Sequence, residues 1–170
     1  MTKSEKIKTK LKYYLKEIVL FFIFITIITN IISFYKSTDL NKEPLNMINL
    51  TLLDGERYRY PSQKPILLHF WATWCPTCSI EASNIQTISQ NYEVITVAVK
   101  SKTQEIKKYM TDNQLNFKVV NDESGFIASE FKIAVYPTTF IYNKNKELVF
   151  SEVGYSSTIG LWLRMWWANL

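Results

Sequence analysis

Cysteine and histidine are scarce in this chain: 170 residues hold two of the first and one of the second. A zinc site built on a C-x-x-C pair needs two further ligands, usually a second such pair or two histidines. With no third cysteine, a closed zinc site within one chain would have to recruit carboxylates. Methionine is thin as well, with four residues spread along the chain and no soft-metal cluster. No metal and no cofactor are expected. Basic-aromatic surface motifs are missing too. The formal net charge of +5 owes much to six lysines within the first sixteen residues, Lys3, Lys6, Lys8, Lys10, Lys12 and Lys16. The remainder is near neutral, so nucleic acid is not an expected partner. There is no internal repeat, and no low-complexity tract beyond the basic start.

Charge is absent from Ile18 to Tyr35. Eighteen residues rising about 1.5 Å each give about 27 Å, enough for a hydrocarbon core. A cleaved signal peptide would have a shorter apolar region ending in small residues. This run ends Ile31-Ile-Ser-Phe-Tyr35, which reads as an uncleaved anchor. Asn30 and the threonines weaken the span without forbidding it. The lysines before it outnumber Lys36 and Lys42 after it, which places the N-terminus in the cytoplasm. The expected order is a basic cytoplasmic segment (1–17), a transmembrane anchor (18–35), a polar linker (36–43) and a domain (44–170). That domain would lie outside the cytoplasm, which in a bacterium means the periplasmic side of the inner membrane or the outer face, where disulfides persist.

Hydrophobic residues at 47% and aromatics at 15% suffice for a core. Residues 49–60 read as a hairpin turning at Asp54-Gly55. Ile66 to Trp71 reads as a buried strand, followed by a helix from about Trp74 to Gln90. Glu93 to Val99 is β-branched enough for a strand covered on both faces. Then come a helix from Thr103 to about Asn113, a short strand at 117–120 and a short helix at 124–131. A strand ending at Tyr142, another at 148–150 and a helix over 157–170 complete the chain. Strands alternating with helices predict a three-layer α/β fold. The terminal cluster Trp162-Leu-Arg-Met-Trp-Trp167 suits a membrane interface but reads more readily as a helix packed on the sheet.

Both cysteines and the histidine fall in one stretch, Ile66-Leu-Leu-His-Phe-Trp-Ala-Thr-Trp-Cys75-Pro-Thr-Cys78. Thiols at i and i+3 on the first turn of a helix can close a small disulfide ring with little backbone movement. Free N–H groups and the helix dipole would stabilise a thiolate there. A purely structural bridge would close a tiny loop and constrain the unfolded chain little. A redox-active dithiol is the better reading.

Phe70-Trp-Ala-Thr-Trp-Cys-Pro-Thr-Cys78 followed by Glu81 resembles the active site of thioredoxin-fold proteins. It is most similar to their membrane-anchored TlpA-like branch, with its W-A-T-W-C-P-x-C-x-x-E pattern. Val135-Tyr-Pro-Thr138 resembles the cis-proline loop of that family, and the leading hairpin resembles the extra N-terminal strands of the branch. Residues 153–164 resemble the tail of the suppressor-of-copper-sensitivity D proteins. The resemblance implies a thioredoxin fold with a mixed central sheet and an N-terminal hairpin extension. It implies a Cys75–Cys78 redox disulfide, with Cys75 an exposed nucleophile and Cys78 the more buried resolving thiol. Pro137, predicted cis, would offer a backbone edge to substrate beside Tyr136. Trp71 and Trp74 would shield the site, while Pro76 and Thr77 would tune its redox poise. His69 stands where thioredoxins carry a buried aspartate, and could take a proton from Cys78 or be a core histidine. Glu81 could act electrostatically on the site, or be a solvated cap. The function implied is a tethered protein disulfide oxidoreductase. It would reduce or exchange disulfides in client proteins, using electrons from a membrane donor of the DsbD or CcdA type. A DsbA-like oxidant, a copper-handling thiol protein and a non-enzymatic assembly factor remain open at this level.

Overall fold

A computed structural model describes residues 3–41, 43–45 and 50–170. Asn49, where the hairpin was expected to begin, and Lys42 of the linker lie outside them. The chain divides into two units, Met1–Tyr35 and Lys36–Leu170.

The first unit is one helix, α1 (Lys3–Lys36). It starts fifteen residues before the uncharged run, because lysine, leucine and glutamate are good helix formers in their own right. The helical stretch Lys12–Asp39, which begins in α1 and runs past its end, is long and apolar enough to cross a membrane, and none of its most apolar window is buried. Its polar residues bond inward. Thr26 Oγ1 donates to the Phe22 carbonyl at 2.8 Å, and Asn30 Nδ2 donates to the Thr26 carbonyl at 2.7 Å. Neither needs water for that bond, which is how threonine and asparagine fit an apolar helix.

In the second unit, residues 36–41 are less free than the linker expected over 36–43. A 3₁₀ turn covers Ser37–Asp39, and both Ser37 and Leu40 are buried. The hairpin consists of β1 (Leu50–Thr51) and β2 (Arg57–Tyr58), antiparallel with Leu50 opposite Tyr58. Gly55 holds φ +92° in its turn, a left-handed conformation that glycine adopts freely. The main sheet has β3 (Ile66–Trp71), β4 (Glu93–Val99), β5 (Lys118–Asp122), β6 (Thr138–Tyr142) and β7 (Leu148–Val153). Their order is β5-β4-β3-β6-β7, with β3, β4 and β5 parallel and β6 and β7 antiparallel. Four helices serve it: α2 (Pro76–Ser89), α3 (Thr103–Asp112), α4 (Phe126–Glu130) and α5 (Thr158–Ala168).

Two successive parallel crossovers in the same direction put α2 and α3 on one face of the sheet, by the right-handed rule. There Leu67 and Trp71 pack against Ile85 and Ile88 of α2, Ile106 of α3, and Leu161 and Met165 of α5. The other face is closed by α4 and Phe131, by Leu40 and Leu45, and by the hairpin's Leu50 and Tyr58. Every residue of β3 is buried, as a central strand with both faces covered requires. This is the mixed-sheet layering that the thioredoxin resemblance implies. It places the carboxyl end of β3, and with it the dithiol, at the open edge above the sheet.

Candidate active site

Pro76 opens α2 at a first-turn position where a missing N–H costs nothing. Cys75 is therefore the N-cap, and the helix starts two residues later than Trp74. The Cys75 sulfur accepts a hydrogen bond from the Cys78 backbone N–H at 3.2 Å. The two cysteines form a disulfide across a Cα–Cα distance of 5.3 Å. Cys75 keeps 6% of its surface and Cys78 2%. Cys78 is the more enclosed of the two, and in the disulfide form Cys75 is buried as well, not the exposed side chain expected.

The two tryptophans part company. Trp71 is a core residue whose indole N–H reaches Thr96 Oγ1 at 3.1 Å and whose ring leans on Tyr109. Trp74 is 57% exposed, donates to the Lys100 carbonyl at 3.3 Å and meets the Tyr136 ring edge-on at 5.7 Å. That aromatic contact joins the dithiol loop to the Val135–Thr138 loop, where the Tyr136–Pro137 bond is cis. The Pro137 carbonyl accepts from Gly154 N–H at 2.8 Å, which ties this loop to the end of β7. Pro76 is exposed and Thr77 half-buried at the rim.

Two ionisable groups lie in the layer between sheet and α2. His69 of β3 is 2% exposed, and its Nδ1 lies 2.9 Å from Thr139 Oγ1 on β6. Burial lowers its pKa to about 3, so the ring is neutral. Glu81, one turn of α2 beyond Cys78, is fully buried, so the reading of it as a solvated cap is wrong. Its Oε1 accepts from Ser156 N–H at 3.2 Å, while its Oε2 has no partner. Burial raises its pKa to about 8, the Ser156 N–H opposes that, and Glu152 adds to it. Beyond Ser156 the chain of contacts goes on outward. Ser156 Oγ donates to Glu152 Oε2 at 2.7 Å, and Arg164 of α5 pairs with Glu152. Gly160 leaves room for this guanidinium, since a Cβ there would sit 2.8 Å from Arg164 Nη1.

Residues 45–151 match the AhpC/TSA family. The chain belongs to that family. This AhpC/TSA member is 33% identical over 166 residues to a thioredoxin-like protein of Haemophilus influenzae, covering 94% of this chain and 98% of that protein. It is 28% identical over 111 residues to the sporulation thiol-disulfide oxidoreductase A of Bacillus subtilis, covering 60% of this chain and 67% of that protein. The crystal structure of StoA from Bacillus subtilis superposes with a TM-score of 0.62 at 24% identity, over 71% of this chain and 96% of that one. The fold is thioredoxin-like.

Among the residues picked out by sequence, Cys75, Cys78, Trp74 and Tyr136 gather at one edge of this family member, with Pro137 in the adjoining loop. Glu81 and His69 lie below them in the core. Thr139, Ser156, Glu152 and Arg164 were not picked out; the first two are the partners of the two buried groups, and Glu152 and Arg164 follow on from Ser156. Among the described residues no three His, Cys, Asp or Glu side chains cluster as a metal site.

Proposed function

We propose that this protein is a thiol–disulfide oxidoreductase that cycles Cys75 and Cys78 between a disulfide and a dithiol, reducing or exchanging disulfides in client proteins. The observation that carries the reading is a disulfide at a helix N-terminus, with a buried carboxyl group one turn further along the same helix. In the reduced protein the Cys75 sulfur sits at the N-cap, where backbone N–H groups favour the thiolate. That thiolate attacks a client disulfide, forming a Cys75–client bond and releasing one client thiolate. Cys78 then gives its proton to the Glu81 carboxylate and attacks the Cys75 sulfur. The mixed disulfide breaks, the second client thiolate leaves, and two electrons have passed to the client. In the opposite direction Glu81 returns the proton to Cys78 as its sulfur leaves. A carboxyl group with a pKa near 8 is matched to a thiol, as general acid–base transfer requires. Pro137 offers the backbone edge for the client segment, and Tyr136 and Trp74 wall it.

Under this reading α1 anchors the domain in the inner membrane with its lysine-rich end in the cytoplasm. The dithiol then works on the extracytoplasmic side, recharged by a membrane electron donor of the DsbD or CcdA type.

The test is trapping with Cys78→Ser. Mixed disulfides should accumulate on Cys75 and disappear when Cys75→Ser is added. No trapped species from cells that make the variant stably would overturn the proposal.

A further inference from the structure

The sequence alone favours packing for the tryptophan cluster of α5, and the structure divides it. Leu161, Met165 and Ala168 pack on the sheet. Ile159, Trp162, Leu163, Trp166, Trp167 and Leu170 are 46–75% exposed. Their spacing of three, one, three, one and three residues makes a continuous stripe along the outer side of the helix. From Val153 to Leu170 the only charged side chain is Arg164, and it is turned toward Glu152. A helix apolar on both sides belongs in an environment that covers both. An exposed patch of this size marks an interaction site.

The chemistry of the patch selects its occupant. Three of the chain's five tryptophans stand in it, and tryptophan settles at the membrane–water boundary, with its ring in the apolar zone and its N–H toward water. At the C-terminal end of the helix, Trp167 and Leu170 border an open groove of about 460 Å³ shared with Gln63, Asn143 and Lys144. Lys144 is exposed, and its ammonium donates to the Leu170 carbonyl at 3.3 Å. A cation and amides beside an apolar stripe complement lipid phosphates beside acyl chains.

A short connection joins the uncharged run to the folded domain. The uncharged run ends at Tyr35, and Ser37 and Leu40 are already buried in the domain. Five residues reach at most about 18 Å. The 3₁₀ turn that follows the tether packs on β7, and the same strand's Glu152 holds Arg164 of α5. Leu40 belongs to the core on the opposite face of the sheet from α5, so the edge strand β7 is what the entering chain and the helix share.

We propose that the outer face of α5 lies in the headgroup–acyl boundary of the bilayer, with Lys144 at the phosphate level. The domain then presents one defined face to the bilayer. This rests on α1 being a membrane anchor.

The test uses the full chain in lipid nanodiscs of phosphatidylcholine with phosphatidylglycerol, comparing plain with bromine-labelled acyl chains. α1 has no tryptophan, so quenching reports on the domain alone. With three of five tryptophans in the interface, emission should fall by roughly half in the brominated discs. The triple variant Trp162→Gln, Trp166→Gln, Trp167→Gln should stay in the disc, keep its exchange activity and lose the quenching. Should that variant fold poorly, Trp74→Phe removes the other exposed tryptophan and leaves α5 intact, and quenching should persist. Lys144→Glu should weaken quenching in the anionic discs. Elution with the discs but equal emission in plain and brominated lipid would overturn this proposal alone, leaving a protein partner or a second copy for the face. Failure to elute with the discs would overturn the anchor and this proposal together.

Discussion

His69 and Glu81 are both ionisable, both buried and both shifted by that burial toward their neutral forms, yet the shifts leave them with different proton affinities. His69 Nδ1 meets the Thr139 hydroxyl on the neighbouring strand. Glu81 keeps one oxygen unpartnered, and its other oxygen begins a chain through Ser156 and Glu152 to Arg164 on the rim. Its pKa near 8 lies where a thiol can exchange a proton with it, whereas a pKa near 3 leaves His69 a poor acceptor. Under the proposed mechanism, the difference between the two lies in where burial moves the proton affinity.

The largest expected effect separates the two directly. Glu81→Gln should slow the step in which Cys78 resolves the mixed disulfide by roughly 100-fold near pH 7, the usual scale of a lost acid–base group. Formation of the mixed disulfide at Cys75 should be unchanged. His69→Asn should leave both steps nearly untouched in stopped-flow assays. Equal slowing by the two variants would erase the distinction.

His69 should instead report in stability. His69→Leu strands the Thr139 hydroxyl and should cost about 1–3 kcal/mol in urea unfolding. The pH dependence of unfolding should carry opposite signs for the two groups. His69, with its folded pKa depressed from 6.5 to about 3, subtracts stability as pH falls through that window. Glu81, with its folded pKa raised from 4.5 to about 8, adds stability at low pH that is lost as pH rises through its window. His69→Leu should flatten the acid side of the profile, and Glu81→Gln the neutral side.

Smallest is the rim. Arg164→Gln leaves Glu152 uncompensated near Glu81, which favours the protonated Glu81. The pH midpoint of the resolving step should move up by about half a unit, a modest electrostatic effect at a partly exposed pair. Arg164→Lys should restore most of it. An unmoved midpoint would detach the outer chain from the site.

Much of this was legible in sequence because it is local. The uncharged runs, the Asp54-Gly55 turn and the C-P-T-C spacing each follow from neighbouring residues. The partners of the buried groups were not, since Thr139 lies 70 residues from His69 and Ser156 75 residues from Glu81. Thr139 reads in sequence as one more β-former. Glu152 lies beyond the expected end of its strand at 150, because β7 continues to Val153 by pairing with Thr138 and Thr139 of β6. On α5 the apolar period was visible, but a helix with two apolar sides does not declare which one faces inward. Packing chose Leu161 and Met165 and left the tryptophans outside.

The most direct measurement is the rate of mixed-disulfide resolution by Cys78 from pH 5 to 10, in the wild type and in Glu81→Gln. Glu81 as proton acceptor predicts a wild-type rise with a midpoint near pH 8 that is missing from the variant. Superimposable profiles would contradict it.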